Sequence, residues 1–184
     1  MSADLFLAWT LTFLGVAGIL IGGVILWQPG GCRRALTAFP RSRLPGWILS
    51  AIGVVWVTWV VQHAALGRFE FLKPVIPVAG LLLFAALVFL MDELLAPRAL
   101  GGVLLLVANP ILMGVRWADS AWRLVPVLIA YFWVLAGCAL MLHPWLWGWM
   151  LRRFYSTDAS FRTAGWGKLI GGAILLAAGL WHLR

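Results

Sequence analysis

Three histidines are the residues of this sequence best suited to bind a cofactor. His63 and His182 both lie near run ends expected on one side of a membrane, whereas His143 lies at the opposite side. Two imidazoles at one depth are what a haem b iron needs for bis-histidine axial ligation. No spacing in the sequence requires the two side chains to face each other, and interfacial histidines need no cofactor. We therefore expect no cofactor of the chain's own, with haem b ligation by His63 and His182 as an alternative.

A second polar feature lies inside the fourth apolar run, where Asn109 precedes Pro110. Proline lacks an N–H, so it frees the carbonyl of Leu106 and kinks the helix. Asn109 is one of the few strong hydrogen-bonding side chains expected near mid-membrane, and Thr58 has a similar predicted depth. Broken helices at this depth often line substrate sites, so a solute path beside these residues is one hypothesis. The hypothesis we favour is a hydrogen bond from Asn109 to a neighbouring helix.

Acidic residues are few, and two of the six, Asp92 and Glu93, are close to Arg98 in the sequence. Helical continuation to residue 96 would bring Glu93 near Arg98, and we predict an ion pair that fixes this hairpin. The alternative is a docking or proton-handling role for the two carboxylates. None of the six acidic residues lies inside a predicted span. This argues against a proton-coupled transporter or a redox pump carried by this chain alone.

Residue patterns typical of enzymes are absent from the sequence. It has no serine nucleophile elbow, no Cys–His nucleophile pair and no HExxH or other metal-ligand spacing. Gly101 and Gly102 follow no strand and precede no Lys-Ser/Thr pair, so they form no phosphate loop. The two cysteines, Cys32 and Cys138, fall at different predicted depths, so no disulfide is expected. We predict a chain without catalytic activity and without a metal site.

Composition determines where such a chain can fold. Of its 184 residues, 64% are hydrophobic, 11% are charged and 13 are tryptophan. A soluble domain carries about 25% charged residues, so this chain does not have enough charge to cover its surface against water. A mean hydropathy of +0.99 leads to the same conclusion. The sequence predicts a membrane protein.

Six uncharged or nearly uncharged runs are long enough to cross a bilayer core, which needs about 20 residues and at least about 17. They cover residues 5–27, 46–66, 75–91, 99–115, 124–145 and 165–183. We predict an all-α polytopic membrane helix bundle of six transmembrane helices with short connections, forming a single domain over residues 1–184. The third and fourth runs have the minimum length, so a re-entrant hairpin over residues 75–115 is the alternative.

Positive charge is distributed unequally between alternate connections. The first, third and fifth connections contain nine Lys and Arg residues, and the opposite side contains five. Lys and Arg in short loops are retained on the cytoplasmic side, so we predict that both termini lie outside the cytoplasm in a cell inner (plasma) membrane. The formal net charge of +8 then serves contact with anionic lipid headgroups, and nucleic acid is not an expected partner.

Small residues recur along the first and last predicted helices at close to helical spacing. The set is Ala8, Gly15, Gly18, Gly22, Gly165, Gly167, Gly171, Gly172 and Gly179. Small residues let helices approach closely where lipid provides no hydrophobic drive. We favour packing of these two antiparallel helices on each other within one chain. The alternative is that one of the two seams docks a partner subunit.

The segment of residues 145–155 alternates tryptophan with other residues and then carries paired arginines. Such a segment is typical of the headgroup layer, where indole rings and arginines contact lipid. The residues predicted to do so are Trp145, Trp147, Trp149, Arg152 and Arg153. We therefore expect bound phospholipid.

These features predict a non-catalytic integral membrane protein that serves as an accessory or scaffolding subunit of a larger membrane complex. Its expected partners are membrane lipids and other integral membrane subunits. One alternative is a small transporter or channel for a neutral or lipid-like solute. A second alternative is a haem- or quinone-binding membrane anchor.

Overall fold

The structure is a computed structural model that describes residues 2–90 and 94–183. Within these ranges it contains eight α-helices and no strand. The helices are α1 (Ala3–Trp27), α2 (Pro29–Ala38), α3 (Arg43–His63), α4 (Ile76–Leu90), α5 (Leu95–Val115), α6 (Leu124–Leu142), α7 (Leu146–Phe154) and α8 (Asp158–His182). Three 3₁₀ segments, Phe39–Arg41, Gly67–Val75 and Ala121–Arg123, lie between them.

Six of the helical segments are long and apolar enough to cross a membrane, which confirms the predicted all-α bundle of six spans. The third span joins the 3₁₀ segment to α4 and covers Gly67–Leu90, and the fourth span is α5. These two spans have 24 and 21 residues, so both segments of the alternative re-entrant hairpin have the length of a full crossing.

The helices of the fourth and last spans begin earlier than the hydropathy of the sequence predicts. The fourth span begins at Leu95, so Pro97 and Arg98 lie in its first turn, where a missing N–H costs no intrahelical hydrogen bond. The last helix begins at Asp158 because Thr157 caps it: Thr157 Oγ1 accepts the Ser160 N–H at 3.2 Å. The Thr157 N–H in turn donates to Ser160 Oγ at 3.4 Å, which completes a capping box.

Two short helices occupy connections that the sequence analysis did not divide into elements. Pro29 is the first residue of α2, a position that proline favours because its N–H would have no partner there. The other short helix, α7, lies within the segment predicted for the headgroup layer. Its buried residue is Leu151, while Arg152 and Arg153 are exposed.

Contacts divide the chain into two compact units. The first comprises Met1–Thr37, Val107–Trp133 and Gly148–Arg184, and the second comprises Ala38–Leu106 and Val134–Trp147. The core of the first unit is apolar. It is formed by α1, α8 and the segment Val107–Trp133. Its buried members are Leu7, Leu11, Val115, Ala118 and Ala178.

Polar contacts hold the two ends of the first unit. At one end the Asp119 N–H donates to Asp4 Oδ1 at 3.2 Å, close to the hydrogen bond between Ser120 and His182. At the other end Arg33 Nε lies 3.1 Å from Asp158 Oδ1. The N-terminus, fourth connection and C-terminus therefore meet at one end, and the first and fifth connections meet at the other. This is the alternation of sides that the positive-inside argument assumes.

Glycines mark the close helix contacts of the second unit. A Cβ on Gly46 would lie 3.2 Å from the backbone nitrogen of Ala96, so α3 and the start of α5 approach closely there. A Cβ on Gly80 would lie 2.5 Å from Thr58 Oγ1, which places α4 against α3. The third span has no buried residue in its most apolar window. It is therefore the least enclosed span of this unit.

Candidate functional site

The glycine seam between α1 and α8 lies in the most extensive helix contact of the first unit. A Cβ on Gly15 would lie 2.5 Å from the Leu176 backbone nitrogen, and a Cβ on Gly172 would lie 2.7 Å from the Ile19 nitrogen. Similar approaches to backbone atoms are made by Gly18 on Gly172, Gly22 on Gly165 and Leu169, and Gly179 on Ala8. Gly165 instead faces the side chains of Ile25 and Leu26. These residues therefore pack the two helices of one chain on each other.

Gly167 and Gly171, which the sequence analysis assigned to the same seam, lie outside it. A Cβ on either residue would meet no atom within 4 Å. The physical reason is angular: two residues along an α-helix rotate a side chain by about 200°, so Gly167 points away from the face of Gly165. The sequence analysis grouped these glycines by type without separating the two faces of α8.

Asn109 is exposed on α5 and has no hydrogen-bond partner among residues 2–90 and 94–183. The predicted hydrogen bond from Asn109 to a neighbouring helix is therefore not present in this part of the structure. Pro110 is also exposed, and α5 continues through it as a helix to Val115. Thr58, the residue predicted at similar depth, belongs to the second unit and contacts Gly80 there. The solute path proposed beside these three residues thus has no common wall within either unit.

The acidic pair Asp92 and Glu93 lies outside the described residues, so the predicted ion pair with Arg98 stays a prediction. Arg98 itself is partly buried in the first turn of α5. Its Nε atom is buried and has no hydrogen-bond partner in the described part of the chain. Arg98 is therefore a cation next to an apolar interior with part of its hydrogen-bonding capacity unused.

The residues predicted for the headgroup layer lie on or beside α7. Trp145, Trp149, Arg152 and Arg153 are exposed. Trp147 is partly buried, and its ring centroid lies 5.0 Å from that of Phe39. One indole thus serves internal packing, and the other four side chains are available to lipid.

The two histidines of the haem hypothesis belong to different units and are each hydrogen bonded. His63 Nδ1 lies 2.8 Å from the Trp59 carbonyl oxygen, and its ring stacks on that indole with centroids 4.2 Å apart. His182 uses both ring nitrogens, Nε2 with Ser120 Oγ at 2.8 Å and Nδ1 with the Ala178 oxygen at 3.0 Å. Iron ligation by His182 would therefore require the loss of one of these hydrogen bonds.

Two apolar grooves flank α4 in the second unit, and the sequence analysis predicted neither. The first has a volume of about 550 Å³ and lies between α3 and α4, with Thr58, Gln62 and His63 among its lining residues. The second has a volume of about 500 Å³ and lies between α3, α4 and α5. We call it the Ser50–Arg98 groove, after two of the polar residues in its wall. Volumes of about 300–1,000 Å³ are typical of small-molecule sites.

The Ser50–Arg98 groove is apolar apart from these two residues and Thr58. Its other lining residues are Leu49, Gly53, Val54, Val57, Leu83, Leu87, Leu95, Ala99, Gly102, Val103, Leu105, Leu106 and Met141. A Cβ on Gly102 would meet no atom within 4 Å, and a Cβ on Gly53 would first meet side-chain atoms at 4.0 Å. These two glycines therefore widen the groove. No signal in the sequence distinguishes these two glycines from those that pack closely, because the difference depends on the neighbouring helices.

Comparison with protein-family models, curated proteins and solved structures finds no match for this chain. Within the described ranges no three His, Cys, Asp or Glu side chains are grouped so that they could hold a metal ion. Among the described residues, polar groups without a hydrogen-bond partner include Asn109 on α5, Gln62 Oε1 in the first groove, and Ser50 Oγ and Arg98 Nε in the Ser50–Arg98 groove.

Proposed function

We propose that this chain is a non-catalytic accessory or scaffolding subunit of a larger assembly in the inner (plasma) membrane. The observation that carries the proposal is Asn109, which is exposed in the apolar part of α5 and has no hydrogen-bond partner among the described residues. Asn109 is four residues from the midpoint of α5, about 6 Å along the axis at 1.5 Å per residue. It therefore lies at a depth where lipid chains offer no hydrogen bond.

A carboxamide has two N–H donors and an oxygen with two lone pairs. Leaving such a group without partners in an apolar medium costs about 2–7 kcal/mol, depending on the reference state. A helix of another membrane chain that brings a polar side chain or a free carbonyl to Asn109 removes this cost. Hydrogen bonds of this kind, with close packing, are what holds transmembrane helices together.

The residues around Asn109 give the partner a surface to pack on. Met113 follows Asn109 by four residues, so it lies on the same side of α5. Trp117 comes two residues after the end of this helix, in the fourth connection. Both are largely uncovered, with 63% and 74% of their surfaces exposed. Methionine is a flexible side chain that adapts to irregular surfaces, and tryptophan is enriched in protein interfaces. This face of α5 is where we place the partner subunit.

Replacement of Asn109 by leucine should weaken the association with the partner subunit about threefold to thirtyfold, because one interhelical hydrogen bond in a membrane is worth about 0.6–2 kcal/mol. The measurement is a photo-crosslink from a benzophenone side chain at position 113 in native membranes, combined with the stoichiometry of the complex in mild detergent. We expect one discrete crosslinked chain, present at a fixed ratio, and a reduced yield for Asn109→Leu.

The matched control for Asn109→Leu is Met113→Leu, made in the chain without the benzophenone. It changes a side chain on the same face of α5 but removes no hydrogen-bonding group. It should retain the complex at the wild-type ratio. A chain that elutes alone after gentle extraction and survives dilution as a monomer contradicts the proposal. So does a complex whose yield is the same with asparagine and with leucine at position 109.

The orientation of the chain, with both termini outside the cytoplasm, is part of the same proposal and rests on the distribution of Lys and Arg. Cys32 lies in the first connection, and Asp119 lies in the fourth connection at the opposite end of the first unit. A membrane-impermeant maleimide should label Cys32 in inverted vesicles only. In a cysteine-free background, Asp119→Cys should be labelled in right-side-out vesicles only. The reverse pattern contradicts the assigned orientation.

A further inference from the structure

Ser50 and Arg98 lie in the wall of one apolar groove, and each has a buried polar atom without a hydrogen-bond partner in the described part of the chain. Ser50 is 5% exposed, and its Oγ atom has no hydrogen-bond partner among the described residues. The Nε atom of Arg98 is also buried and has no hydrogen-bond partner among these residues. Buried polar groups are nearly always hydrogen bonded, so two exceptions in one groove favour a hydrogen-bonding ligand at this end of the groove.

The position of Arg98 determines the charge and the location of that molecule. Arg98 is the fourth residue of α5, so it lies near the end of this span, on the side with more Lys and Arg. Guanidinium groups recognise phosphate through parallel N–H donors, and the cytoplasmic leaflet is the one rich in anionic lipids. An anionic headgroup is therefore both chemically complementary to this end of the groove and abundant beside it.

The remainder of the groove fits a hydrocarbon chain. Along α5 its wall runs from Arg98 to Leu106, eight residues or about 12 Å at 1.5 Å per residue. The lining residues beyond Ser50 are aliphatic except for Thr58, and the unfilled positions at Gly53 and Gly102 leave room for methylene groups. The groove thus combines one polar end at a membrane boundary with an apolar length directed towards the membrane interior.

We propose that the Ser50–Arg98 groove is a binding site for one anionic phospholipid. The headgroup phosphate accepts hydrogen bonds from the Arg98 guanidinium and the Ser50 hydroxyl, and one acyl chain lies along the groove between α3, α4 and α5. The site is distinct from the general contact of α7 with headgroups, because it is enclosed on three sides by helices of one unit. It is also independent of the partner subunit proposed above.

Native mass spectrometry of the delipidated chain in detergent tests the proposal with phosphatidylglycerol, phosphatidylcholine of the same acyl chains, and oleate. We expect one saturable phosphatidylglycerol per chain, bound about tenfold more tightly than phosphatidylcholine. Arg98→Gln should reduce phosphatidylglycerol affinity about tenfold, to the phosphatidylcholine value. Gly102→Leu should weaken both phospholipids, because its side chain fills the groove.

Matched controls separate this site from general lipid adhesion. Arg41→Gln removes the same charge from an exposed position outside the groove and should change affinity less than twofold. Gly23→Leu adds the same side chain to α1 where a Cβ also meets no atom within 4 Å, and should bind as the wild type does. Three results would overturn the proposal. They are equal affinity for the two phospholipids, unchanged phosphatidylglycerol affinity in Arg98→Gln, and a chain that binds oleate saturably but does not bind phosphatidylglycerol.

Discussion

Replacement of Gly172 by isoleucine should destabilise the first unit severely, whereas the same replacement at the adjacent Gly171 should leave it folded. A Cβ on Gly172 would lie 2.7 Å from the Ile19 nitrogen and 2.8 Å from the Gly15 oxygen, both of them backbone atoms of α1. Backbone cannot rotate away as a flexible side chain can, so α1 and α8 must separate. A Cβ on Gly171 would meet nothing within 4 Å.

The size of the effect follows from overpacking. Extra carbon atoms in a packed interior cost about 1–3 kcal/mol, and occasionally more. With about 2–4 °C per kcal/mol for a chain of this length, the upper end of that range lowers the melting temperature by roughly 6–12 °C. The melting temperature is measured from the fraction of protein that remains monodisperse after heating in detergent. If Gly172→Ile melts at the same temperature as Gly171→Ile, the packing of α1 on α8 described here is wrong.

The division of the chain into six spans could be predicted from sequence because it depends on one strong signal. Burial of an unpaired charge in lipid is costly, so long uncharged runs reveal the spans directly. The predicted ends of the spans are less accurate where interactions other than hydropathy, such as helix capping, determine where a helix begins. The last span begins at Asp158 and not at 165, since a capping box extends the helix into polar sequence. That signal, Thr157 followed three residues later by Ser160, is readable but carries no hydropathy.

The glycines of α8 show what residue spacing can and cannot predict about helix contacts. A spacing of seven at Gly165, Gly172 and Gly179 correctly describes one face of α8, and all three contact α1. The pair Gly167 and Gly171 has an equally good GxxxG spacing and contacts nothing. Spacing tells which residues share a face, but only the neighbouring helix decides which face is covered.

The Ser50–Arg98 groove could not be predicted because it is defined by an absence of packing. Ser50 and Arg98 are 48 positions apart, and each has an ordinary interpretation alone, as a helix residue and as a boundary cation. Their juxtaposition depends on the contact of Gly46 with Leu95 and Ala96, which brings the starts of α3 and α5 together. No local pattern encodes a contact between helices that are separated by another span.

Replacement of Gly101 by leucine should disrupt the second unit, whereas leucine at Gly102 should leave it folded. The contact of Gly101 with Gly137 is reciprocal: a Cβ on Gly101 would lie 2.7 Å from the Gly137 oxygen, and a Cβ on Gly137 would lie 2.8 Å from the Gly101 oxygen. Both glycines are buried. Since α5 and α6 meet backbone to backbone at this point, a leucine there forces them apart.

We expect Gly101→Leu to lower the free energy of unfolding by about 3 kcal/mol. In lipid-free detergent this is a fall in melting temperature of roughly 6–12 °C. Gly102→Leu should melt within about 2 °C of the wild type, because its side chain enters open groove. A stable Gly101→Leu variant would show that the α5–α6 crossing is not as close as the structure has it.

The two neighbouring variants together separate folding from lipid binding. Gly101→Leu loses phospholipid affinity because the helices that form the groove are displaced, and its melting temperature falls with it. Gly102→Leu loses affinity while the protein stays folded, because the leucine occupies the space of the acyl chain. Phosphatidylglycerol should therefore raise the melting temperature of the wild type but not of Gly102→Leu, since a ligand stabilises a protein only to the extent that it binds the folded state.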